Sequence, residues 1–318
     1  MRNSIFATLC CLLFVAKASA CNITLPAGST ASAINSALTT YSVVCLSPGS
    51  YSLGTTTIVV PASKTLKGSG ASKADSILNS NASTAISPRT GSVLNNFTLH
   101  GPGGANATYG VLVYNNNNVV IWSLDINSYL INIGVSGSTG TQILDTFVSN
   151  NGVINNGTPS PNIWITQSPS TTIKYGAITG RGDKPFGDGE VSCYDSPNLT
   201  VDSTYSFDSG TSSFYLVNCD NAVVKNTKIY RSGGFGLDIV GGSDYFQAIG
   251  NTIQDGWYAG SVFRNDLNSG GIYSSNIFTN NNKSGDTRFC SGIWLSSAWP
   301  DPNTTGSTAT PPPLKCYF

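Results

Sequence analysis

Short runs that alternate apolar and polar positions recur along the middle of the chain. One series is Val111-Leu112-Val113, Ile133-Gly134-Val135, Ile163-Trp164-Ile165, Gly189-Glu190-Val191, Tyr215-Leu216-Val217, Leu237-Asp238-Ile239 and Gly260-Ser261-Val262, with steps of 22, 30, 26, 26, 22 and 23 residues. A second series, anchored at Ile121, Ile143, Ile173, Val201, Val224, Ala248 and Ile272, keeps step with it. Five positions later it usually regains an apolar residue, as at Ile126, Val148, Ile178, Ile229, Ile253 and Ile277. A period-2 strand of this length cannot bury its apolar face alone, whereas stacked coils bury a continuous column of Val, Ile and Leu. The pattern predicts an all-β solenoid, a parallel β-helix, because its alternation excludes helical solenoids and its period is too short for propeller blades.

The ends read differently. Over Ser29–Tyr41 the residues Ala33, Ile34, Ala37, Leu38 and Tyr41 form one helical stripe, which predicts a short N-terminal helix capping the coil. After Asn282 the period is lost. The domain reading is therefore a leader at residues 1–20, a capped β-helix at 21–282 and a Pro/Thr-rich tail at 283–318 that closes the other end. Within the coil, Gly152–Pro161 and Gly180–Gly189 are insertions, and such loops often line the binding face of a repeat protein.

The leader starts with Arg2, continues through an apolar run from Leu9 to Ala16 and ends in Ala18-Ser19-Ala20, the form of a secretory signal peptide and its cleavage site. No other apolar stretch approaches a membrane span. Eight Asn-x-Ser/Thr sequons, at Asn22, Asn81, Asn96, Asn106, Asn156, Asn198, Asn282 and Asn303, add the expectation of a secreted glycoprotein. Removing Arg2 and Lys17 with the leader leaves 14 basic residues against 16 acidic ones, a net charge of −2, which gives no footprint for nucleic acid. The expected molecule is an extracellular monomer with neither nucleic acid nor membrane as partner.

Six cysteines remain after cleavage, and 15 pairings are open to them. Sequence proximity favours Cys21–Cys45, Cys193–Cys219 and Cys290–Cys316. Cys193 and Cys219 each follow a first-series anchor, Val191 or Val217, by two residues. Both are expected to point inward in adjacent coils, ~4.8 Å apart at Cα.

The opening Leu46-Ser47-Pro48-Gly49-Ser50-Tyr51, then Val59-Val60-Pro61 and Leu66-Lys67-Gly68-Ser69-Gly70, followed by many coils, resembles the pectin-lyase-like superfamily over about residues 25–281. The resemblance implies a right-handed parallel β-helix. It leaves the activity open among lyases, hydrolases, epimerases and adhesins, and the Asn-Thr-Asp, Gly-His-Gly, Asp-Pro-His and related catalytic blocks of its best-known members do not occur in this chain.

Candidate chemistry is therefore read from stacking. Asp208, Arg231 and Asp255 each lie seven residues after a second-series anchor and should stand one above another, with Arg231 between two acids; a plain surface ladder is the structural alternative. The outward positions of the first series give Glu190, the only glutamate, and Asp238. The Gly180–Gly189 loop brings Lys184 beside Glu190. β-Elimination on a uronate polymer needs a cation for the carboxylate, a base for the α-proton and an acid for the leaving oxygen. Arg231 or Lys184 is the candidate base, on condition that its surroundings lower its pKa. Asp208, Asp238 and Asp255 are candidate Ca²⁺ ligands. Hydrolysis would instead use Glu190 and Asp238, two coils and ~9.6 Å apart, at the edge of the inverting range. A non-catalytic glycan-binding protein would use the same groove through aromatics such as Tyr194, Tyr215 and Trp257. A polysaccharide lyase is the favoured expectation.

Overall fold

The computed structural model describes residues 20–103, 108–149, 160–180, 189–264, 270–285, 292–296 and 316–317. The leader, Lys184, and the expected Cys290–Cys316 bond lie outside the described residues. Strands dominate; the described helices are Ala31–Thr40 and a single 3-10 turn at Lys73–Asp75. The strands form two sheets, one of 19 and one of 11, and within the coil every pairing is parallel. In the longer sheet each regular coil contributes two short strands, as with Thr200–Asp202 and Tyr205–Phe207; the shorter sheet takes one, as with Phe214–Val217.

A single residue turns the chain between the two strands of the longer sheet. In successive coils that corner is Asn96, Ser123, Asp145, Tyr175, Ser203, Asn226, Gly250 and Ser275, all left-handed with φ between 45° and 63°. Asn, Asp, Ser and Gly suit this conformation because a short polar side chain or none avoids the clash that a bulky one meets. The next inward position is held by a buried amide ladder in the later coils. Asn251 accepts from the Thr227 N–H through Oδ1 (2.9 Å) and donates through Nδ2 to Val224 O (2.8 Å) and Asn276 Oδ1 (2.9 Å).

The core is the stacked inner face of all three strand columns, including Ile121, Ile143, Ile173, Val201, Val224 and Ala248 in one and Val111, Ile133, Ile163, Val191, Phe214 and Leu237 in another. The second expected series holds as far as Ala248 and Ile253. Its last coil is displaced by one residue: Tyr273 and Phe278 continue the columns, while Ile272 and Ile277 are about half exposed. In the first series, Glu190 is not in the outward column. The pairing runs Trp164, Ser192, Tyr215, Asp238, Val262, so the expected Gly189, Tyr215 and Gly260 anchors are replaced by Val191, Phe214 and Ser261.

The N-terminal end is closed. The helix, capped by Thr30 Oγ1, buries Ala31, Ile34 and Leu38, whereas Ala33 and Tyr41 of the expected stripe are exposed. Asn35 donates to Thr57 O (2.9 Å) and accepts from the Val59 N–H (2.9 Å), so its amide acts as a partner for the free edge of the first strand of the shorter sheet. At the other end Ile293–Ser296 adds one more parallel strand beyond the expected limit at residue 282, and Cys316–Tyr317 pairs with it antiparallel.

Cys21 is bonded to Cys45 and Cys193 to Cys219. The register behind the second bond differs from expectation. Cys193 lies opposite Leu216, and Cys219 sits three residues further, so the link is diagonal with a Cα separation of 6.6 Å rather than ~4.8 Å.

Candidate functional site

The outer face of the shorter sheet carries the Trp164, Ser192, Tyr215, Asp238 column and beside it the Thr166, Tyr194, Val217, Val240 column. In the sequence the insertions Gly152–Pro161 and Gly180–Gly189, most of which lie outside the described residues, come shortly before the strands Ile163–Thr166 and Val191–Tyr194. Ser192 and Asp238 are buried on this outward side, and Tyr194 meets Tyr215 edge to face with centroids 5.9 Å apart. Asp238 Oδ2 accepts from Ser212 Oγ (3.2 Å).

Glu190 precedes its strand by one residue and is only 4% exposed, so it is not the solvated acid the sequence suggested. It belongs to a different stack. Asn132, Asn162 and Glu190 each stand one residue before the inward Ile133, Ile163 and Val191 in three consecutive coils. Asn132 Nδ2 donates to Asn162 Oδ1 (2.5 Å), and Asn162 Nδ2 donates to Glu190 Oε2 (2.7 Å) and Thr179 O (3.1 Å). Charge-assisted bonds of this kind hold a carboxylate in a buried setting that would otherwise reject it. Sequence reasoning missed the two asparagines. The signal was available, since each stands immediately before an apolar strand residue, Ile133, Ile163 or Val191.

The register separates Glu190 from Asp238 by two residues along the strand as well as two coils, which sets their Cα atoms ~12 Å apart rather than ~9.6 Å. The spacing offered for an inverting hydrolase rested on the one-column placement and goes with it.

Asp208, Arg231 and Asp255 do stack, at the left-handed corner that ends the second strand of each coil. Among the described residues Arg231 bonds one of its two stacked acids: Nε and Nη2 donate to the two oxygens of Asp208, at 2.5 and 2.8 Å. Asp255 is taken by Lys283 (2.8 Å), Gln254 (2.9 Å) and Asn280 (2.5 Å). The Asp208 hydrogen bond and charge raise the Arg231 pKa, and the Arg231 hydrogen bond depresses that of Asp208. This is the opposite of what a base requires, so Arg231 as an exposed ion pair does not meet the condition set for it. Asp238 lies on the other sheet from Asp208 and Asp255. The three proposed Ca²⁺ ligands do not converge, and among the described residues no group of three His, Cys, Asp or Glu side chains could hold a metal ion.

The family model for the right handed beta helix region matches residues 84–253. Among solved structures, the alginate lyase from Paenibacillus sp. str. FPU-7 gives a TM-score of 0.60 at 15% identity, over 81% of this chain and 96% of that one. The A-module of mannuronan C-5 epimerase AlgE4 from Azotobacter vinelandii gives 0.57 at 13% identity, over 81% and 87%. ORF18 of Geobacillus virus E2 gives 0.64 at 12% identity over 87% of this chain, which spans 61% of that protein. No curated protein sequence matches the chain. At these identities the likeness is one of fold.

Proposed function

The chain belongs to the right-handed β-helix family, and from that premise we propose that it is an extracellular, polysaccharide-active protein that cleaves a uronate polymer by β-elimination. The observation that carries the reading is the outer face of the shorter sheet, where Trp164, Tyr194, Tyr215, Ser192 and Asp238 share neighbouring columns. Aromatic rings offer stacking platforms for sugar rings, and the phenols of Tyr194 and Tyr215 offer hydrogen bonds to them, while Ser192 and Asp238 are buried on the same side.

In this reading a cation neutralises the uronate carboxylate, a base removes the C5 proton α to it, and the glycosidic C4–O bond breaks as the leaving oxygen takes up a proton. A double bond next to the carboxylate remains. Lys184, six residues before Glu190 in the chain, is the candidate base, and the Tyr194 or Tyr215 phenol is the candidate proton donor. The alginate lyase and the mannuronan C-5 epimerase that share the fold motivate the choice, because both chemistries start at the carbon beside a carboxylate. Two disulfides fit an oxidising compartment, and among the described residues no helix is long and apolar enough to cross a membrane.

Tyr215→Phe tests the site. It should lower kcat/KM for formation of unsaturated uronate by about a hundredfold with the thermal midpoint nearly unchanged. Full activity in Tyr215→Phe and in Asp238→Asn would remove this face from the chemistry. The second reading, a glycan-binding protein without turnover, has its own support: both acids near this face already serve internal hydrogen bonds, Glu190 with Asn162 and Asp238 with Ser212. Binding to this face without any product would favour it.

A further inference from the structure

The longer sheet carries a second surface. Its left-handed corner is filled by Asn, Ser, Asp or Gly in seven of the eight coils named above, and by Tyr175 in the remaining one. A bulky residue is costly there, and this ring is also 60% exposed, so neither packing nor backbone preference accounts for it. Around it stand groups of one kind. Lys174 and Lys225 occupy the same column two coils apart, with Asp202 between them; Lys228 stacks on Tyr205 in the neighbouring column.

The carboxylate organises the cations. Asp202 Oδ2 lies 3.4 Å from Lys174 Nζ and 3.8 Å from Lys225 Nζ, while Oδ1 accepts from Ser203 Oγ (2.9 Å) and Asn226 Nδ2 (3.1 Å). The acid is 11% exposed and the two lysines 34% and 40%, so the ammonium groups form the upper layer. Lys174 Nζ is 4.7 Å from the Tyr175 ring centre and Lys228 Nζ 5.4 Å from that of Tyr205. Tyr205 is 46% exposed.

We propose that Lys174, Tyr175, Tyr205, Lys225 and Lys228 form a second polysaccharide-binding surface, which holds a carboxylated chain running across the coils without converting it. Lys174 and Lys225 face the tucked carboxylate of Asp202, Lys228 stands over Tyr205, and the exposed Asp145 holds the corner one coil before Tyr175, so three ammonium groups against two carboxylates leave the patch locally positive on a chain whose formal net charge is zero. Such a balance favours a linear polymer with spaced carboxylates over nucleic acid, which is drawn by broad basic surfaces. The exposed tyrosines supply faces for sugar rings, and coils ~4.8 Å apart match the scale of one sugar unit. The surface shares only its ligand class with the reading above and lies on a different sheet from Tyr215 and Asp238.

Affinity electrophoresis in gels containing alginate or pectate tests it, with dextran and duplex DNA gels alongside. Wild type should be retarded by the polyuronates alone. Tyr175→Asn, which gives the corner the residue that Asn226 provides two coils later, and Lys225→Ala should each weaken that retardation about fivefold. Tyr175→Asn should melt no lower than wild type, and both variants should process short uronate oligomers at the wild-type rate if the protein processes them at all. Unchanged retardation of both variants, no retardation of wild type by a polyuronate, or equal retardation by DNA would overturn the proposal. Turnover of oligomers is read separately, so loss of that activity alone bears on the outer face of the shorter sheet and not on this surface.

Discussion

Asn162→Asp places two carboxylates at hydrogen-bond distance inside the coil. The native amide donates to Glu190 Oε2 at 2.7 Å and to Thr179 O at 3.1 Å, and a carboxylate can make neither bond. Two full charges ~3 Å apart repel by about 5 kcal/mol at an effective dielectric of 20. Keeping one carboxyl protonated at pH 7 costs about 4 kcal/mol from an ordinary pKa near 4, which is less, so the folded variant holds a proton that the unfolded chain releases. The lost Thr179 bond adds about 1 kcal/mol. The folded-state pKa of the pair is thus raised above its unfolded value. The penalty is full at neutral pH and shrinks as pH falls toward about 4, leaving chiefly the Thr179 term. At roughly 0.6 kcal/mol/K of unfolding entropy for a chain of this length, the variant should melt about 8 °C below wild type at pH 7 and about 4 °C below it at pH 5. Thermal melts of both proteins at the two pH values give the comparison. A deficit that does not change with pH, or none, would refute the buried Asn162–Glu190 contact.

Arg231→Ala should cost under about 1 kcal/mol, because both partners of the pair are well exposed, 58% and 42%. That small deficit should fade as acid titrates Asp208 through its depressed pKa, as melts at neutral and low pH would show. Retained glycan activity in Arg231→Ala is expected, and its complete loss with the fold intact would return Arg231 to the site. Breaking the Cys193–Cys219 link, which spans 26 residues, should cost up to about 3.5 kcal/mol, measured as the melting difference between wild type and Cys219→Ser. Asn251→Ala removes three buried hydrogen bonds and should cost about 3 kcal/mol in urea unfolding, against a few tenths for Asn226→Gly at the exposed corner.

The solenoid was legible because the longer sheet has a solvated outer side: Ile173 and Val201 stand between polar neighbours, Thr172 and Lys174 or Thr200 and Asp202, and set the parity of the column that Ile121, Ile143 and Val224 share. The shorter sheet lacks that contrast. Ser192, Asp238 and Val262 point outward and are buried all the same, so Phe214-Tyr215-Leu216-Val217 offers apolar residues on both sides. A one-residue slip then goes unnoticed in the pattern. That slip drew Glu190 into the outward column and Tyr215 into the inward one. Ile272 and Ile277 misled for a related reason, standing next to Tyr273 and Phe278, which take the interior through their larger apolar area. The Asp208, Arg231, Asp255 stack was visible from spacing alone. Which acid Arg231 holds was not, because that depends on the side-chain competition from Lys283, Gln254 and Asn280 for Asp255.

The reaction itself is tested most directly by incubating the wild-type protein with a panel of uronate polymers, with and without Ca²⁺, while ultraviolet absorbance and reducing ends are followed together. Cleavage by β-elimination predicts that both rise in step on at least one polymer, one new double bond for each new reducing end. Reducing ends without the absorbance, or neither signal on any polymer that the protein binds, would contradict it.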